Sequence, residues 1–299
     1  MIVSAIHGIG NRFEGSDKLA AAWLPAMNSG LHEAGFPRID PGDFTLIFFG
    51  GIFRPLGDVA ATRGRERAAP GREDEEWVAQ MLVEYNKEAA RLSKANSAGE
   101  DEKGEDPRIQ PPVDAPGEAS RGRTPAAIKA VLLQLSKSRF FKALGPAKLL
   151  RSDLAEVRRF LHDEKIKAAV LERFEREFLP GTNVVVGHSL GSVVAYEALC
   201  RNPDWKVDTF VTLGSPLGIR TLVFDALTPK PKHGVGAWPN VRRWVNIADA
   251  GDIVALEKNL KNLFGDVNDV PVYNGWHAHD VLIYLTAAQT GRAIGEAQP

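Results

Sequence analysis

Val184-Val185-Val186-Gly187-His188-Ser189-Leu190-Gly191-Ser192-Val193-Val194-Ala195-Tyr196-Glu197-Ala198-Leu199 changes character at its centre. The three valines fit a strand covered on both faces. Ser192–Leu199 has neither glycine nor proline and reads as a helix. Between them, Gly187-His188-Ser189-Leu190-Gly191 matches G-x-S-x-G. That spacing has a physical reason. A serine on a sharp strand-to-helix turn adopts strained backbone angles, and glycines two before and two after it let strand and helix pack closely. The turn lifts the hydroxyl out of the sheet and points a helix N-terminus at the reaction centre. Five residues alone are a weak signal; the strand before and the helix after are the context the pattern requires. The plainer alternative is a glycine-rich turn with Ser189 as an ordinary helix cap.

Outward from this stretch, strands and helices alternate. The expected fold class is α/β: a mostly parallel central sheet with helices on both faces and a large helical cap insertion. Strands are predicted at 2–6, 44–49, 183–187, 207–213, 241–247 and 270–273. Helices are predicted at 17–34, 75–92, 126–138, 152–178, 189–201 and 280–290. The predicted core is residues 1–51 with 182–299. Residues 52–181 carry no convincing strand and read as a helical cap insertion. Within it, 95–124 is rich in Gly, Pro, Ser and acidic residues and reads as a mobile loop.

A serine hydroxyl is a poor nucleophile until a base takes its proton and a third group orients that base. Acids downstream of Ser189 at a strand tip are Asp249 and Asp252, and downstream histidines are His233, His277 and His279. Asp252 is the first choice of acid, Asp249 the second; a cap for a following helix is the plain alternative for Asp252. His279 is the first choice of base. It precedes the apolar run Val281-Leu282-Ile283-Tyr284-Leu285, which should anchor a helix and leave His279 on the loop above. His277 competes with it, and His233 ranks below both. Attack at a carbonyl creates an oxyanion that needs preorganised donors. The expected ones are the backbone N–H of Leu190 and, from the glycine turn His7-Gly8-Ile9-Gly10, those of Ile9 and then Gly10. His7 is expected to order this loop.

Together, His7-Gly8-Ile9-Gly10-Asn11, Gly187-His188-Ser189-Leu190-Gly191-Ser192, Gly214-Ser215-Pro216-Leu217-Gly218, Asp252-Ile253-Val254 and His279 resemble the α/β-hydrolase superfamily. The nearest flavour is its lipase-like branch, the class 3 lipases and inositol-deacylase-type serine esterases. The resemblance covers about 1–50 and 182–290, and none of 52–181. It implies Ser189 as nucleophile, Asp252 as acid, and acyl transfer to water; the first two strands of the full fold are missing from the pattern, so a shortened sheet is expected. Lipid-like or other carboxylic esters are the expected substrates, with thioesters or peptides as alternatives. A hydrolase-fold module that binds a protein partner with vestigial activity is the competing class.

Composition narrows the rest. The chain has 299 residues, 44% hydrophobic and 25% charged, with a net charge of -1. Nothing pulls it toward nucleic acid, and no apolar run approaches the roughly 20 residues of a transmembrane helix. One cysteine, Cys200, fits a reducing compartment. The N-terminus shows no basic leader, so a cytoplasmic protein is expected. No phosphate-binding glycine motif and no metal-ligand spacing appear, so neither cofactor nor metal is expected. Residues 126–150 form a basic amphipathic stretch, read mainly as a cap helix with peripheral membrane contact as the alternative.

Overall fold

The structure is a computed structural model. It describes residues 1–54, 76–78, 80–81, 147–252 and 254–297. The chain divides into two compact units, Met1–Glu66 with Arg159–Pro299, and Arg67–Arg158. The described residues of the second unit, 76–78, 80–81 and 147–158, are helical. The loop expected at 95–124 lies outside the described residues, as do the cap helix expected at 126–138 and most of the basic stretch 126–150.

The first unit is an α/β fold. Its strands are β1 (Val3–Ile6), β2 (Phe44–Ile47), β3 (Val184–His188), β4 (Thr209–Leu213), β5 (Arg243–Asp249) and β6 (Val267–Val272). They form one sheet in the order β2-β1-β3-β4-β5-β6. Every pair is parallel. The helices are α1 (Ser16–Glu33), α2 (Ala147–His162, of which only 159–162 belong to this unit), α3 (Glu164–Glu177), α4 (Leu190–Arg201), α5 (Lys261–Phe264), α6 (Val281–Thr286) and α7 (Ala288–Gly295).

Side-chain alternation on the buried strands explains the two helical layers. Val3, Ala5, Val184, Val186, Val211, Leu213, Val245 and Ile247 point to one face. There they meet Trp23, Met27 and Leu31 of α1, with Tyr284, Leu285 and Ile294 of α6 and α7. Burying each of those three α1 side chains contributes roughly 1.5–3 kcal/mol. The intervening residues point to the other face, where Trp244 packs on Phe210, on Tyr196 of α4 and on Phe264 of α5. Among the described residues no helix is long and apolar enough to cross a membrane.

Two predicted helices are each two. The helix expected over 152–178 breaks at Asp163, whose Oδ1 accepts from Lys165 N and Ile166 N at 3.0 and 3.2 Å and restarts the helix as α3. The helix expected over 280–290 breaks at the extended residue Ala287. Thr290 Oγ1 ties the second piece back by donating to the Tyr284 carbonyl at 2.6 Å. The last strand starts at Val267 rather than at 270.

The strand order places the functional loops. From β1 the chain moves to β2 on one side, then returns to add β3 on the other. β1 and β3 therefore flank the point where the order reverses, the usual position of a ligand crevice at the carboxyl ends of parallel strands. The register sets Ile6 beside Gly187, so the turns after β1 and β3 leave the sheet side by side.

Candidate functional site

Ser189 sits between β3 and α4 at φ 53°, ψ -129°. A non-glycine residue at such angles costs on the order of 1–3 kcal/mol and persists only when its surroundings impose it. Several contacts do so. Ser189 N–H donates to the Leu213 carbonyl at 3.0 Å. The Ser189 carbonyl accepts from Ser192 N–H at 2.9 Å and Ser192 Oγ at 2.6 Å. Ser192 Oγ also pairs with Ser215 Oγ at 2.7 Å. A Cβ on Gly187 would lie 2.6 Å from the Ser192 Cα, and one on Gly191 would strike the His7 carbonyl oxygen. Only glycine fits at both places.

The candidate acid and the candidate base meet. His279 Nδ1 lies 2.8 Å from Asp252 Oδ2. The same oxygen accepts from the Tyr284 hydroxyl at 2.8 Å. Asp252 Oδ1 accepts from Val254 N and Ala255 N at 2.9 and 3.3 Å. The carboxylate is fully buried, which pushes its pKa up. The His279 charge, the two side-chain donors and His188 outweigh that burial and hold it below the usual carboxylate value. An ionised Asp252 accepts from Nδ1–H, which leaves the lone pair on His279 Nε2. Tyr284 is buried, so its phenol stays protonated.

His279 lies against the turn that carries Ser189. Its ring centroid is 4.6 Å from that of His188, the residue before Ser189. Its carbonyl lies 3.1 Å from His188 Nε2. Ser189 Oγ and His279 Nε2 are not hydrogen-bonded in this structure. Nucleophile–base contacts are often long in free enzymes and tighten with substrate.

The two alternates have other places. Asp249 closes the turn after β5: its Oδ1 accepts from Gly251 N at 2.6 Å and its Oδ2 from Asn274 N. His277 is exposed at the end of the short turn Gly275–His277, and its ring hydrogen-bonds none of the described residues. The geometry thus brings Asp252 and His279 together against His188, the residue before Ser189, and leaves His277 and Asp249 out of that pair.

The turn after β1 faces the serine. A Cβ on Gly8 would lie 2.7 Å from the Ser189 Cβ. Gly10 turns at φ 84°. Asn11 Nδ2 donates to the Gly8 and Ile9 carbonyls at 3.1 and 3.2 Å. His7 stacks on Phe49 at 4.2 Å and accepts from the Phe49 and Gly50 N–H groups on Nε2, at 3.2 and 3.3 Å. Its proton is therefore on Nδ1, which donates to the Gly8 carbonyl at 2.6 Å. Burial lowers its pKa to about 4. His7 orders the loop, and both its nitrogens are occupied. The backbone N–H groups of Ile9 and Leu190 donate to none of the described residues, and Leu190 opens α4, where first-turn donors lack intrahelical acceptors.

Three residues at this site were not found by sequence reasoning: Tyr284, His188 as a donor, and Asn274. Tyr284 was visible only as part of an apolar run. Among the described residues, no group of three or more His, Cys, Asp or Glu could hold a metal ion. A cavity of about 380 Å³ lined by Glu164, Lys167, Glu197 and Thr228 lies elsewhere, along α3 and α4. Comparison with known protein families, curated proteins and solved structures found no match for this chain.

Proposed function

We propose that the chain is a serine hydrolase of the α/β-hydrolase kind that cleaves a carboxylic ester through an acyl-enzyme. The observation that carries this reading is the strained Ser189 turn next to a His279–Asp252 pair whose carboxylate is buried and fully hydrogen-bonded. In this mechanism His279 Nε2 takes the Ser189 Oγ proton as Oγ bonds to the ester carbonyl carbon. The carbonyl oxygen becomes an oxyanion between the N–H groups of Leu190 and Ile9. The intermediate collapses, the ester C–O bond breaks, and the alcohol leaves with the proton from His279. Water then repeats the sequence on the acyl-serine, releasing the acid and restoring Ser189. Asp252 stays ionised throughout and stabilises the imidazolium. Exposed apolar side chains adjoin these loops: Phe13 after the Gly8–Gly10 turn, Tyr273 before His279, and Leu282 and Ile283 after it. They favour esters with an apolar acyl or alkyl chain.

A fluorophosphonate probe tests the reading directly. Wild type should label and Ser189→Ala should not, and p-nitrophenyl esters of increasing chain length should then be turned over. A wild type that neither labels nor hydrolyses any of the esters would refute it in favour of a binding module.

A further inference from the structure

Asp252 and His188 face the candidate base His279 directly. Tyr284 reaches it only through Asp252, and His7 is near enough to His188 to lower its pKa. Asp252 orients the His279 ring through Nδ1. Nothing in the triad itself holds the His279 backbone. That task falls to His188, whose Nε2 lies 3.1 Å from the His279 carbonyl. A carbonyl can only accept, so His188 Nε2 carries the proton. The His188 ring is buried, with Trp23 edge-on at 6.4 Å and Tyr284 at 6.2 Å. A Cβ on Gly8 would come within 3.2 Å of its Nδ1.

We infer that His188 is a positioning residue: the hydrogen bond from its Nε2–H to the His279 carbonyl ties the base loop to the strand end that carries Ser189. The inference rests on the hydrolase reading above. The bond joins two segments 91 residues apart in sequence and ends one residue from the nucleophile. It therefore fixes the distance Ser189 Oγ must cover to reach His279 Nε2, at the His279 end. Burial first, then the charge of His279, lowers the His188 pKa to about 3, so it holds the loop as a neutral donor and sets no cation beside the imidazolium. The residue before the serine is thus chosen for a donor and a flat ring.

The test compares His188→Phe, which keeps a ring without the donor, with His188→Gln, which keeps a donor without the ring. On a p-nitrophenyl ester, His188→Phe should lower kcat by about 10- to 100-fold and change KM less than about threefold, as loss of alignment predicts. It should move the acid limb of the kcat/KM profile to lower pH, because a looser loop weakens Asp252's support of the imidazolium. A merely structural role would lower Tm and leave that limb in place. His188→Gln should recover much of the lost kcat. In wild type, nitrogen NMR of the imidazoles should show His188 neutral at pH 5 and protonated on Nε2. Wild-type kinetics in His188→Phe, no recovery in His188→Gln, or a His188 proton on Nδ1 would each overturn the inference. Failure of wild type to react with a fluorophosphonate is a separate result: it removes the hydrolase reading, and the positioning role with it.

Discussion

Tyr284→Phe isolates one hydroxyl and leaves the buried ring in place. That hydroxyl has two partners: it donates to Asp252 Oδ2 and accepts from Asp249 N–H, both at 2.8 Å. Losing a donor to a buried charge costs about 1.5–3 kcal/mol, and orphaning the buried Asp249 N–H costs about 1–3 kcal/mol. The total is roughly 2.5–6 kcal/mol, on the order of a 10 °C fall in Tm for a chain of this size. Activity on an ester substrate should fall about tenfold, because the carboxylate that orients His279 loses one of the two donors on Oδ2. The stability difference should also depend on pH. The Asp252 pKa is depressed in the folded state. Its contribution is therefore complete above the ordinary carboxylate pKa of about 4 and is lost as pH falls through the lower folded value. The gap between wild type and variant should narrow in acid. Urea unfolding at pH 7 and at pH 3, with initial rates at pH 7, measures all three quantities. A loss below about 1 kcal/mol at pH 7 would refute the argument that this phenol supports the carboxylate.

His279→Ala should abolish ester hydrolysis while the exposed His277→Ala stays within about twofold of wild type; the reverse pattern would move the base to His277. Stability should fall as pH drops below 6.5, because His7 and His188 have folded pKa values lowered to about 4 and about 3. The unfolded chain takes up both protons first, at about 1.4 kcal/mol per pH unit for each group. Urea midpoints at pH 7, 6 and 5 should show this slope, and it should shrink by about one proton's worth in His188→Gln; an unchanged slope would mean that His188 is not held neutral.

The local signals in the sequence were strong where one backbone segment makes the feature by itself. Val184–Val186 forms a strand because β-branched residues suit a doubly covered sheet position, and Gly187 and Gly191 stand where a Cβ would collide. Boundaries were weaker wherever a side chain decided them. Asp163 and Ala287 each split a helix whose apolar pattern runs through the break. Asp252 ranked above Asp249 from sequence, but both lie at the end of the same predicted strand and the chain alone offers no contact to tell them apart.

The sequence by itself determined that parallel strands alternate with helices and that Ser189 lies on a strand-to-helix turn, since spacing and residue type impose both locally. It also supplied the order of serine, acid and histidine. Only the tertiary structure shows that Asp252 and not Asp249 meets a histidine ring, and that the ring is that of His279 and not His277. That choice depends on which carboxylate oxygen meets which ring nitrogen across 27 residues. The same holds for the contacts of Tyr284 and His188, which exist only because β5, β3 and the His279 loop converge at the carboxyl ends of the parallel strands. Contacts between distant segments leave no period or motif in the chain, so the fold has to assemble before they can be seen.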